Sequence, residues 1–118
     1  MFEDFDGFGE TDSGDFVKFG TLEELRQNRT INRKIISKWI SVFFDDQDEP
    51  YAIEMSCKHQ GANLAEGKIV NNVVTCPRHF WKFNIVTGKS HTEYAPDLRK
   101  HAVRVKDGVL YVSIRPKP

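Results

Sequence analysis

Only two cysteines occur in the 118 residues, and each has a histidine close by: Cys57-x-His59 and Cys76-x-x-His79, inside the stretch CKHQGANLAEGKIVNNVVTCPRHFWKF, residues 57 to 83. Any fold for this chain must place both pairs. Between His59 and Cys76 lie 16 residues, most of which read as a β-hairpin: Ile69 and Val70, a central Asn71-Asn72 that tolerates positive φ, then Val73 and Val74. A hairpin returns the chain to where it left, so the two pairs can converge on one point. Thiolates and imidazoles together select zinc, copper or iron–sulfur chemistry over magnesium or calcium.

The remaining sequence predicts the frame that holds these loops. DFVKFG, 15–20, reads as a first strand. TLEELRQN follows, with Thr21 and Glu24 spaced as a capping box and Leu22 and Leu25 on one side, which predicts a helix of two turns. KIISKWISVFFDD and YAIEM read as two strands joined by a polar hairpin loop. That acid-rich loop, DDQDE, lacks the glycine and terminal glutamate of a calcium site. FWKFNIVTGKS predicts a strand ending at Thr87-Gly88, and HAVRVKDGVLYVSI a closing hairpin about Asp107-Gly108. The fold class expected is all-β, antiparallel sheets forming a small barrel or sandwich with one short helix. Residues 1–14, MFEDFDGFGETDSG, read as an acidic arm with Phe2, Phe5 and Phe8 spaced three apart, ahead of one domain over 15–118.

Formal net charge is zero, which speaks against a generic nucleic-acid binder. The balance hides an asymmetry: six acids and no base in residues 1–15, six bases against Asp107 alone in residues 99–118. No apolar run approaches the roughly 18 residues a membrane helix needs, and the acidic start is unlike a signal peptide. The expected location is cytoplasmic, where metal binding is a better use of two cysteines than a disulfide. No Ser/His/Asp set, P-loop or HExxH motif occurs, so the chain is not expected to be an enzyme by itself.

For the Cys/His pairs themselves, three readings compete: coincidence, a tetrahedral Cys2His2 zinc site, and a [2Fe–2S] cluster whose two irons take two cysteines and two histidines. The two boxes, CKHQGANL and CPRHFWKF, resemble those of Rieske-type iron–sulfur proteins, C-x-H followed after a spacer by C-x-x-H, and the similarity runs from about residue 50 to Ile114. The resemblance implies a Rieske fold with a cluster-binding subdomain at about 56–84, one [2Fe–2S] cluster, Cys57 and Cys76 on the inner iron, and His59 and His79 on the outer. High-potential members carry a further cysteine in each loop and a serine after the second histidine. Here those neighbourhoods read Gln60-Gly61-Ala62 and Arg78, with Phe80-Trp81 after His79. The chain is therefore similar to the small Rieske ferredoxins of oxygenase systems, above all monooxygenase ones.

That similarity implies a one-electron carrier between an NAD(P)H-dependent flavoprotein reductase and a terminal oxygenase, monomeric, docking transiently around His59 and His79. Two neutral imidazoles in place of two thiolates leave the oxidised centre uncharged, hence easier to reduce than an all-cysteine cluster; the missing serine donor implies the lower part of the Rieske range, roughly −150 to +300 mV. Gln60, Arg78 and Phe80 are candidates for the docking rim. Trp81 is expected to pack beneath the loops, Leu64 to plug their base, Gly61 to permit a close backbone approach, and Pro77 to stiffen the second loop. His91 and His101 read as surface or strand residues and not as ligands. Rival readings are a zinc-stabilised binding module and a tightly held electron-transfer subunit anchored by residues 1–15.

Overall fold

The computed structural model describes residues 15–57, 61–78 and 80–117. The chain enters through β1 (Phe16–Thr21), and Thr21 then caps α1 (Leu22–Asn28): its hydroxyl accepts the Glu24 N–H at 3.0 Å. Such a cap contributes about 1 kcal/mol. Leu25 is the fully buried residue of this helix, and Arg29, left-handed at φ 72°, closes it by donating its N–H to the Leu25 carbonyl.

Next come β2 (Thr30–Ile35), β3 (Lys38–Phe44) and β4 (Pro50–Glu54), all antiparallel. Here the sequence expectation needs correcting. The run from Lys34 to Asp46 is not one strand, because Ile35 pairs with Lys38 and the chain reverses at Ile36-Ser37. Ile36 sits at φ 61° and is 80% exposed. A β-branched residue there runs against local preference, and the six pairs between β2 and β3 override it. A 3-10 turn (Leu64–Glu66) precedes the β5 (Lys68–Val70), β6 (Val73–Thr75) and β7 (Lys82–Asn84) strands. The hairpin turn lies at Asn71-Asn72 as expected, with φ 53° and 66°. β7 stops at Asn84 and does not continue to Thr87-Gly88, since the Asn84 side-chain oxygen accepts both the Val86 and Thr87 N–H groups and bends the chain. β8 (Lys100–Lys106) and β9 (Val109–Pro116) form the last hairpin about Asp107-Gly108.

Six strands make one sheet in the order β1-β9-β8-β4-β3-β2, and β5-β6-β7 make a second. The end strands β1 and β2 touch, so the large sheet curls around an interior of Phe19, Leu25, Ile40, Val42, Leu110 and Val112. β4 is buried on both faces. Ala52 points into that interior, whereas Ile53, and Met55 just beyond the strand, point outward and pack with Leu64, Val74 and Phe83 of the smaller unit. Each such side chain contributes about 1.5–3 kcal/mol by leaving water, so β4 fastens the small sheet to the large one. No helix among the described residues is long and apolar enough to cross a membrane.

His101 is a strand residue, as expected, but lies in β8 at 2% exposure and not on the surface; His91 is exposed. The His101 Nδ1 donates to the Ser113 carbonyl at 2.8 Å, leaving its Nε2 buried and unpaired among the described residues. Burial pushes its pKa below the ordinary 6.5; the Ser113 bond and the Glu54 carboxylate oppose the shift, while Lys38 and Arg99 add to it. The unfolded chain therefore binds the extra proton first. Neutral burial contributes stability that is complete above about pH 6.5 and lost as pH falls through the window beneath it. Denaturation midpoints of the wild-type chain should drop more steeply from about pH 7.5 to 5 than those of His101→Gln, and parallel curves would refute this.

Candidate metal centre

Each cysteine follows a strand. Cys57 comes three residues after the end of β4, and Cys76 directly after β6. The two loops close in the same way. The Cys57 N–H donates to the Ala62 carbonyl at 2.9 Å, and Gly61 donates to the Cys57 carbonyl at 2.6 Å. The Cys76 N–H donates to the Trp81 carbonyl at 2.7 Å, and Phe80 donates to the Cys76 carbonyl at 2.9 Å. In both loops the residue four after the cysteine is left-handed: Gly61 at φ 69° and Phe80 at φ 64°. These are two copies of one turn, joined by the β5–β6 hairpin.

The first copy is anchored from beneath. Ser56 bridges to Asn63, and the Ser56 hydroxyl accepts the Trp39 N–H at 2.7 Å. Asn63 donates to the Asn32 side chain, which donates on to the Ser41 hydroxyl, tying the loop base to β2 and β3. Leu64 is fully buried at that base, as expected. The second copy rests on Trp81, half-buried against the same apolar cluster, also as expected.

Both cysteines are completely buried, belong to one apolar cluster with Ile53, Met55 and Phe83, and are not in a disulfide. Two sulfurs from equivalent positions of twin loops are a donor set suited to a soft metal centre, and the residues described here fit one. His59, His79 and Gln60 lie outside the described residues, and no group of three potential ligands occurs among the described ones. Arg78 is exposed, and Phe80 is 71% exposed immediately after His79. At Gly61 a Cβ would meet nothing within 4 Å among the described residues, and its positive φ by itself calls for glycine.

Phe80 is the unusual member of the pair. A bulky residue held left-handed costs about 1–2 kcal/mol, and burial offsets little of it for so exposed a ring. Glycine would lose part of that gain through a freer unfolded chain. Phe80→Gly should thus raise stability by about 0.5–1 kcal/mol, read as a higher denaturation midpoint; an unchanged or lower midpoint would contradict the strain.

The Rieske [2Fe–2S] domain family matches residues 15–106. Against curated proteins, the chain is 33% identical over 96 residues to the 3-phenylpropionate/cinnamic acid dioxygenase ferredoxin subunit of Photorhabdus laumondii, covering 80% of this chain and 90% of that one. It is 28% identical over 81 residues to the oxygenase component of 3-ketosteroid-9-alpha-monooxygenase from Rhodococcus rhodochrous, 69% of this chain but 21% of that much longer one. Among solved structures, a chain in the complex of reduced oxygenase and oxidized ferredoxin in carbazole 1,9a-dioxygenase superposes with a TM-score of 0.68 at 27% identity, covering 87% of this chain and 96% of its own.

Proposed function

The chain belongs to the Rieske [2Fe–2S] domain family, and from that membership we propose that it is a one-electron carrier, a Rieske-type ferredoxin serving a terminal oxygenase. One observation carries the reading: twin loops bury two cysteines in one cluster at equivalent positions. In this reading Cys57 and Cys76 hold one iron as thiolates, and His59 and His79 hold the other through imidazole nitrogens. When bound, the [2Fe–2S] cluster supplies a centre that accepts and returns a single electron.

The chain's own residues do the rest. Ile53, Met55, Leu64 and Phe83 keep water from the sulfur side, and the Gly61 and Phe80 N–H bonds to the cysteine carbonyls clamp each turn. Arg78 and Phe80, exposed beside His79, form a rim on which a partner docks transiently. The partners proposed are a flavoprotein reductase and a terminal oxygenase; 33% identity to a dioxygenase ferredoxin subunit supports the carrier role. The reading extends to a monomer, a cytoplasmic location, and a Rieske domain over 15–118 with its cluster-binding part at about 56–84, supported by the separate β5-β6-β7 sheet.

Purified protein tests it. About two irons and two acid-labile sulfides per chain, uptake of one electron, and a potential in the lower part of the range of roughly −150 to +300 mV are expected. One zinc without sulfide, or uptake of two electrons, would overturn the proposal.

A further inference from the structure

Three apolar side chains share two properties that rarely coincide. Ile36, Phe80 and Tyr94 are 80%, 71% and 90% exposed, while the next large apolar residue among the described ones, Val70, is 53% exposed. The same three are held left-handed, at φ 61°, 64° and 78°. Apart from glycines, the other left-handed residues among those described are Asn, Asp or the helix-closing Arg29, for which local reasons suffice. No burial repays a branched or aromatic side chain there, and each such position costs about 1–2 kcal/mol. Strain kept on exposed apolar groups points to what they touch outside the chain.

Topology brings all three to the metal-centre end. β3 runs antiparallel beside β4, with the Trp39 backbone bonded to Met55 and to the Ser56 hydroxyl. The hairpin tip at Ile36 therefore reaches past Ser56, to the level of the first loop. Phe80 lies in the second loop. At the start of β7, Lys82 donates its N–H to the Thr92 hydroxyl at 2.9 Å, and its carbonyl accepts the His91 N–H at 2.8 Å. Phe80 and Tyr94 each lie two residues beyond that contact, on antiparallel segments and so on the same side of it. Ala95 donates to the Thr92 carbonyl and closes a turn with Tyr94 at its third position, the one a type II turn reserves for glycine. Ala95 and Trp81 pack on the same cluster as the two cysteines, which sets this turn beside the second loop.

We propose that Ile36, Phe80 and Tyr94 form a docking face for a second copy of this chain, across which one electron passes from a reduced copy to an oxidised one. The inference rests on the carrier reading above. The step balances without a further reagent: one copy loses the electron that the other gains, and no bond or proton changes. An apolar face is complementary to itself about a two-fold axis, and a formal net charge of zero leaves no net repulsion between copies. At roughly 150–200 Å² for each side chain, the face buries about 500 Å² per copy, short of the roughly 800 Å² per partner of a stable interface. Arg78, exposed beside the face, is a like charge on both copies. Encounters are therefore brief, and the chain is a monomer between them. An electron taken up by one copy can leave from another, so a copy need not itself travel from donor to acceptor.

Asparagine tests the face without unfolding it, because it tolerates the left-handed region. In half-reduced, cluster-loaded samples of the full chain, magnetisation transfer between oxidised and reduced NMR signals reads the exchange rate. The wild-type rate should rise in proportion to protein concentration and change less than about twofold between about 20 and 500 mM salt. The double variant Ile36→Asn, Tyr94→Asn should exchange at least about tenfold more slowly, while its denaturation midpoint rises as strain is relieved. A further readout needs no electron: over a roughly twentyfold rise in concentration, translational diffusion of the oxidised protein should slow more for wild type than for the double variant. Unchanged exchange in the cluster-loaded double variant would overturn the proposal and give the face to another protein's surface. A lower denaturation midpoint would overturn it too, by making the two side chains structural. A wild-type chain that takes up no single electron would sink the carrier reading and this inference with it.

Discussion

Cys76→Ser yields a chain that retains less than about a tenth of the wild-type iron, and Cys57→Ser does the same. Serine's hydroxyl is harder and far less acidic than a thiol, so it is a poor replacement for a soft thiolate donor. Each substitution also acts on folding. Both positions are 0% exposed within an apolar cluster, and a buried hydroxyl without a good partner costs about 1–3 kcal/mol. Ligation that forms only in the folded chain contributes to folding free energy, and that contribution vanishes with the ligand. Because the loops close identically, the two variants should be equally severe. Cys→Ala at either site separates the causes: it removes the ligand without burying a hydroxyl, so iron is lost while the metal-free chain is destabilised less. Iron analysis and visible absorption provide the check, and wild-type iron content in either serine variant would remove both cysteines from the ligand set.

Much of this was legible because the governing signals are local. Asn71-Asn72 and Asp107-Gly108 are turn dipeptides whose residues tolerate positive φ, and all four adopt it. Thr21 and Glu24 mark a helix start through a hydrogen bond that spans three residues. Cysteine and histidine are scarce, so their doubled spacing stood out, and the hairpin between the pairs implied that the loops meet. What escaped depends on partners distant in sequence. Ile36 turns the chain because β2 finds β3, although a β-branched residue is a poor choice for positive φ. Phe80 is left-handed because its loop repeats the closure around Cys57, where Gly61 occupies the same position. His101 is buried by strand pairing across β8 and β9, which its immediate neighbours in sequence do not reveal. Gly67 carries no local signal either, since its importance lies in a carbonyl eight residues away.

Gly67→Ala is the second large effect expected. Gly67 has φ −87°, an ordinary value, so backbone freedom is not the reason for glycine there. Space is. A Cβ would lie 2.0 Å from the Thr75 carbonyl oxygen, 3.1 Å from its carbon and 3.2 Å from the Leu64 oxygen. All three contacts are backbone, so no flexible side chain can swing aside. Relief requires moving Thr75, which pairs with Lys68 and directly precedes Cys76. The alanine variant must either break the first rung of β5–β6 or displace the second loop from the first. Overpacking of this kind typically costs about 1–3 kcal/mol, and backbone-on-backbone contact places it at the upper end. Gly61→Ala is the matched control: it keeps the strained φ of 69° but meets nothing within 4 Å among the described residues, so its cost is about 1–2 kcal/mol of strain without a backbone collision there. Denaturation midpoints should therefore fall further for Gly67→Ala than for Gly61→Ala, and iron should leave Gly67→Ala faster under a chelator. The reverse order would mean that backbone strain beside the ligands, and not the spacing of the two loops, limits how firmly the metal centre is held.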